Sequence, residues 1–154
     1  MKKIITVSSA VILLGFSFLS AQECPHHSKN GSVKTENSEV AYSNLPKAGK
    51  SVKLPDGNEF TWEFNNKVKL GPNVLSVSIN DQKNLNLKNY TVKANLDMPS
   101  MKGAHSSGSK KLNLNKKNNF VGPYDFVMRG DWEICIEIFY NDKPIYKGKY
   151  IYNI

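Results

Sequence analysis

The chain has 154 residues, with 21 Lys and Arg against 13 Asp and Glu, and therefore a formal net charge of +8. This length is sufficient for one domain with its own hydrophobic core. A content of 40% hydrophobic and 10% aromatic residues excludes a wholly disordered chain. The two cysteines are too few for a disulfide-dense mini-protein or a multi-zinc scaffold.

Residues 1–21 have the pattern of a secretory signal peptide. Lys2 and Lys3 form a positive start, residues 4–19 are almost all apolar or small, and Ala21 precedes the expected cleavage point. The alternative is an uncleaved membrane anchor, but a spanning helix needs about 20 apolar residues, more than this run offers. Cleavage removes two lysines and lowers the formal charge from +8 to +6. We therefore expect a periplasmic or secreted protein with no stable membrane span.

Residues 22–57 are predicted to form a flexible polar arm. Ser, Asn, Lys and Gly dominate this stretch, so it offers little apolar surface to offset the entropy lost on ordering. Near its start, Cys24, His26 and His27 place a thiol and two imidazoles within four residues, a secondary candidate site for copper or zinc. The alternative is an incidental polar terminus. Processing of the chain as a lipoprotein, with a lipid attached to Cys24, is the alternative to cleavage after Ala21.

From residue 58 onward, apolar and polar residues alternate with a period of two. Such alternation is typical of β-strands with one buried face. The alternating runs are 60–64, 74–79, 90–96, 112–114, 132–140 and 145–152, with a further β-like stretch at 124–127. Turn-forming residues separate the runs at 55–58, 71–73, 80–83, 129–131 and 141–144. About seven short strands predict an all-β domain over residues 58–154, an immunoglobulin-like antiparallel β-sandwich, and a small barrel is the alternative.

Four residues form the main candidate metal site. Met98, Met101 and His105 lie in the loop that follows the run at 90–96, and Met128 lies just before a predicted turn. Consecutive antiparallel strands joined by short connections would bring Met128 back to the same end of the sandwich as the loop. Thioether sulfur and imidazole are soft ligands that suit copper, especially Cu(I), in an oxidising compartment. The alternative is that the methionines only fill the open end of the sandwich.

Cys135 lies in the strongest alternating run. It shares a strand face with Glu133 and Glu137, opposite Trp132, so it is predicted to lie outside the main core. One hypothesis is a disulfide between Cys24 and Cys135, which would tie the arm to the sheet. That disulfide would remove the Cys24 thiolate as a metal ligand, so the two hypotheses compete.

The sequence lacks the motifs of common enzymes. There is no Ser-His-Asp arrangement, no HExxH motif and no phosphate-binding glycine loop, so the domain is predicted to be non-enzymatic. The lysines at 102, 110, 111, 116 and 117 are not interleaved with aromatic residues, and no nucleic-acid partner is expected.

Four motifs follow one another between residues 62 and 132. They are Trp62-x-Phe64, Gly71-Pro72-Asn73-x-Leu75-x-Val77, the Asp97-Met98-Pro99-Ser100-Met101 loop with His105, and Gly122-x-Tyr124 through Met128-x-Gly130-x-Trp132. Together they resemble the YtkA-like domain family, which is related to FixH-like proteins. The resemblance implies an exported or membrane-tethered immunoglobulin-like sandwich without enzymatic activity. It also implies partners among the copper-handling, efflux or oxidase-assembly proteins of the periplasm.

Overall fold

The computed structural model describes residues 40–80 and 86–154. The predicted signal peptide lies outside these ranges, as do Cys24, His26 and His27 of the predicted arm. Within the two ranges, no helix has the length and apolar character needed to cross a bilayer.

In the described ranges the chain forms ten strands and two short 3-10 turns. The strands are β1 (Ser43–Asn44), β2 (Val52–Lys53), β3 (Glu59–Phe64), β4 (Gly71–Asn80), β5 (Tyr90–Asp97), β6 (Lys110–Lys111), β7 (Asn113–Leu114), β8 (Asn119–Phe126), β9 (Asp131–Tyr140) and β10 (Lys143–Asn153). The 3-10 turns are Leu87–Asn89 and Pro99–Met101. The long strands coincide with the runs that alternate in the sequence, because a strand with one face on a core needs an apolar side chain at every second position.

The strands form two five-stranded sheets. The first has the order β1-β10-β9-β5-β6 and the second has the order β2-β3-β4-β8-β7. Every pair is antiparallel except β1 and β10, which run parallel. The predicted all-β sandwich is confirmed, although ten strands replace the expected seven or so. The three additional strands, β1, β2 and β6, have two residues each, too few to produce an alternating pattern.

The core lies between the two sheets. In β9 the side chains of Trp132, Ile134, Ile136 and Ile138 are buried and alternate with partly exposed ones. The ring of Trp132 meets that of Phe126, on the opposite sheet, edge-on at 5.2 Å between centroids. Full burial of one large apolar side chain contributes about 1.5–3 kcal/mol, so this set supplies much of the stabilising free energy.

The ordered domain begins before residue 58, which is the start that the alternating pattern predicts. Leu45 and Leu54 are only 5% and 4% exposed and belong to the core. The indole N–H of Trp62 also donates a hydrogen bond to the Pro46 carbonyl at 3.0 Å. The prediction of a flexible arm up to residue 57 is therefore wrong for residues 43–54. Leu45 and Leu54 are isolated among polar residues, so the sequence shows no alternating pattern there. Both side chains nevertheless pack with the core cluster.

The connections between strands follow the predicted turns in part. Asn141 and Asp142 join β9 to β10 with positive φ angles of 47° and 61°, as a two-residue hairpin requires. The stretch predicted as a turn at 71–73 instead begins β4, where Gly71 pairs with Phe126.

Candidate functional site

Three connections meet at one end of the sandwich, which we call the methionine end. They are residues 65–70 between β3 and β4, residues 98–109 between β5 and β6, and residues 127–130 between β8 and β9. Asp97, the last residue of β5, pairs with Glu133 near the start of β9. The loop that leaves β5 therefore lies beside the turn that enters β9, and the structure places Met98 and Met128 at the same end.

Met98 anchors the loop in the core. Its side chain is only 3% exposed and packs with the buried apolar residues. A Cβ atom added at Gly130 would lie 3.1 Å from the Met98 methyl carbon, and Gly130 also has a φ of 134°. The positive φ favours glycine at this position, and a larger residue would also require the Met98 methyl group to shift by a few tenths of an ångström.

Met101 and Met128 differ from Met98 in their exposure. Their side chains are 37% and 38% exposed, whereas His105 is half-buried in the same loop as Met101. The structure therefore brings all four predicted ligands to the methionine end. It places two thioethers at the surface and one in the core beneath them.

Hydrogen bonds from side chains hold the loop and the turn beside it in defined conformations. The Asp97 carboxylate accepts hydrogen bonds from the backbone N–H groups of Met98 at 2.8 Å and Gly103 at 3.1 Å. The indole N–H of Trp132 donates to the Met128 carbonyl at 3.1 Å. Because Asp97 is engaged by the backbone, its carboxylate serves as a loop cap.

The β3–β4 connection is held in a similar way by Asn73. This buried side chain donates to the carbonyls of Lys69 at 2.7 Å and Gly71 at 2.8 Å, and it accepts from the Lys69 N–H at 3.2 Å. The intervening residue, Leu70, is left exposed. Leu70 and Val127 were not among the residues predicted for this end. For Leu70 the sequence does contain a signal, since it is an apolar residue at the end of a polar connection.

The ligand types at this end suit a soft metal ion. In residues 40–80 and 86–154, no three or more His, Cys, Asp or Glu side chains are grouped so that they could hold a metal ion. The donors at the methionine end are instead thioethers and one imidazole, which match the preferences of Cu(I).

Cys135 lies on the outer face of its sheet, as the alternation predicts. Its thiol is 3.7 Å from a carboxylate oxygen of Glu133, and it lines a small cleft that Tyr42 and Glu137 border. Burial, with a further contribution from the negative charge of Glu133, raises the pKa of the Cys135 thiol to about 12. The thiol is free in this structure. Its partner in the hypothetical disulfide, Cys24, lies outside the described residues, so that hypothesis stays a prediction.

The fold and this end define a small β-sandwich domain with a methionine-bearing loop. A family model described as YtkA-like matches residues 53–137, more than half of the chain. The chain belongs to the YtkA-like family.

Two further comparisons add little. No curated protein matches the sequence. Among solved structures, the crystal structure of hypothetical protein PH1083 from Pyrococcus horikoshii OT3 is similar over 71% of this chain and 94% of that one, with 8% sequence identity and a TM-score of 0.39. That score is too low to support an inference.

Proposed function

We propose that the chain is an exported, non-enzymatic module that binds Cu(I) at its methionine end. Met101 and Met128 supply thioethers at the surface, and Met98 and His105 complete the ligand set. The observation that carries this proposal is the distribution of methionine. The chain has four methionines, one of them the initiator, and the other three all lie at this end.

The exposure of Met101 and Met128 also favours a ligand role. Methionine ranks among the residue types most often buried, and two of the three sulfur-bearing side chains here lie at the surface on connected turns. A thioether is neutral and does not need to lose a proton before it binds a metal. Binding through these sulfurs should therefore vary little with pH.

Export and partners are proposed on separate grounds. The first 21 residues support export through their signal-peptide pattern. The resemblance to the family supports partners among copper-handling, efflux or oxidase-assembly proteins of the periplasm. Cys24, His26 and His27 would form a second copper site on the arm, which could pass the ion to the methionine end.

The test is an anaerobic titration of the mature chain with Cu(I) against a chromogenic chelator. Replacing Cys24 with Ser and His26 and His27 with Asn first removes the candidate arm site. In that background we expect Met98→Leu/Met101→Leu/Met128→Leu to lower the Cu(I) affinity by more than about 100-fold. Mutation of residues that only support metal ligands already costs roughly 10–100-fold, and this variant removes the ligands themselves. Each Met→Leu change nearly conserves volume and should cost less than about 1.5 kcal/mol in stability.

A matched control is available at the opposite end of the sandwich. Leu114 is 38% exposed, like Met128, but it follows β6 and pairs with Phe120 at the start of β8. Leu114→Met therefore adds an equally exposed thioether far from the site, and we expect it neither to raise affinity nor to rescue the triple variant. Unchanged Cu(I) binding in the triple variant would refute the site. The second candidate function, a structural or protein-interaction domain without a metal, would then stand.

A further inference from the structure

The methionine end also displays apolar side chains that are not metal ligands. Leu70 is 43% exposed and Val127 is 61% exposed. Gly71 pairs with Phe126 at the end of the β4–β8 register, so Leu70 and Val127 directly follow that last pair at the methionine end. We call Leu70, Val127, Met101 and Met128, the exposed apolar residues of this end, the apolar tip. These four account for half of the large hydrophobic side chains that are exposed within the described ranges.

The apolar tip is held outward by ordered turns. Asn73 fixes the backbone on both sides of Leu70, and Asp97 closes the loop that carries Met101. Trp132 binds the carbonyl of Met128, the residue after Val127. These hydrogen bonds fix the backbone of the turns that present the exposed apolar groups. Such preorganisation reduces the ordering cost of docking.

Positive charges surround the apolar tip. Lys67, Lys69, Lys102 and Arg129 are all exposed and belong to the same three connections. Within the described part of the chain, the ion pairs with N–O distances up to 4.0 Å are Lys147–Glu137 and Lys149–Glu133, which join β10 to β9. None of the four cations of the methionine end forms such an ion pair within the described domain, although Asp97, Asp125 and Asp131 lie at the same end.

We propose that the methionine end docks on an anionic phospholipid surface. Leu70, Val127 and the two exposed methionines enter the headgroup region, and the four cations face the lipid phosphates. A bilayer interface has an apolar interior beneath an anionic headgroup layer. The apolar tip would meet that interior, and the cations would meet the headgroup layer. A lipid surface also accommodates three protruding turns without a complementary shape. The net charge of the whole chain adds attraction at longer range.

This inference does not depend on copper. Met98→Leu/Met101→Leu/Met128→Leu removes the sulfurs but keeps the tip apolar, so it should lose Cu(I) and still bind vesicles within about 2-fold of the wild type. Leu70→Ser/Val127→Ser keeps all the proposed ligands, so it should retain Cu(I) and lose vesicle binding. Failure of one proposal is thus distinguishable from failure of the other.

The experiment is co-sedimentation of the mature chain with large vesicles at low salt. Vesicles of phosphatidylcholine alone are compared with vesicles of equal parts phosphatidylcholine and phosphatidylglycerol. We expect binding to the mixed vesicles that weakens as salt is added, because exposed charges are screened. Leu70→Ser/Val127→Ser should weaken it at least about 10-fold, since two apolar side chains lose their burial in the interface. Lys69→Gln/Arg129→Gln should weaken it by about 5-fold for each charge removed.

The opposite end of the sandwich offers a matched control. Leu114→Ser/Lys116→Gln/Lys117→Gln removes one exposed leucine from the end of β7 and two exposed lysines from the β7–β8 connection. This variant should show only a small loss of vesicle affinity, because it lowers the net charge of the protein without changing the apolar tip. All variants are first shown to be folded by their thermal unfolding curves. Absence of wild-type binding to the anionic vesicles, or equal losses in the tip and control variants, would overturn the proposal. In the first case a protein partner would be the better explanation of the tip.

Discussion

Gly148 in β10 lies directly against the leucine that ties the N-terminal segment to the sandwich. A Cβ atom at this position would lie 2.7 Å from Leu45 Cγ and 2.8 Å from both Leu45 Cδ2 and Tyr146 Cε1. The same glycine pairs with Ser43 where β1 runs parallel to β10. Gly148→Ala should therefore displace Leu45 and strain the attachment of β1.

The magnitude of this effect follows from two opposing contributions. Overpacking a tight site costs about 1–3 kcal/mol, whereas replacing glycine with alanine lowers the entropy of the unfolded chain and returns about 0.4–1 kcal/mol. We expect a net loss of about 1–2 kcal/mol in the free energy of unfolding. Leu45→Ala alone should cost about 2–5 kcal/mol, because it leaves a cavity. In the double variant the alanine methyl fills part of that cavity, so the two losses should be less than additive by at least about 1 kcal/mol.

The assay is urea unfolding followed by tryptophan fluorescence, because both Trp62 and Trp132 are buried in the core. Leu112→Ala serves as the control partner for Gly148→Ala. Leu112 lies between β6 and β7, and two strands separate β6 from β10 in the sheet. That pair should therefore be additive within about 0.5 kcal/mol. If Leu45→Ala and Gly148→Ala are also additive, or if Gly148→Ala is neutral, the clash read from the structure is not the determinant of stability here.

Two further predictions concern buried polar groups. The Tyr90 hydroxyl donates to Asp56 and accepts a hydrogen bond from the fully buried Asn58 amide at 2.8 Å; Tyr90→Phe should cost about 1–3 kcal/mol in urea unfolding, and an unchanged midpoint would contradict a role for this bond. The raised pKa of Cys135, about 12 in the folded state, implies that the unfolded thiol loses its proton near its usual pKa of about 8.5 while the folded thiol keeps it. The unfolded state then binds fewer protons, so stability should fall as pH rises from about 8.5 to 10, and Cys135→Ser should make that fall shallower. Identical pH profiles for the two proteins would count against a half-buried thiol that stays neutral in the folded state.

The candidate site could be predicted in part from the sequence. Antiparallel connections between consecutive strands were sufficient to bring Met128 to the end that carries Met98, Met101 and His105. The different depths of these side chains were not predictable, because they depend on packing between segments far apart in the chain, such as Met98 against Gly130. The same holds for Leu70, whose neighbour Val127 is 57 positions further along the chain and is found only through the β4–β8 register.

The sequence by itself determined that this protein is all-β, because a strand with one face on a core must alternate apolar and polar side chains, and that requirement is local. It favoured a sandwich over a small barrel, and the tertiary structure shows the two separate sheets. It also determined which residue types are available for soft-metal chemistry. The tertiary structure alone decided where the domain begins, since Leu45 becomes a core residue only where the two-residue strand β1 pairs with the distant strand β10. It also decided which side chains share the methionine end, because strand register is set by contacts between residues far apart in the chain.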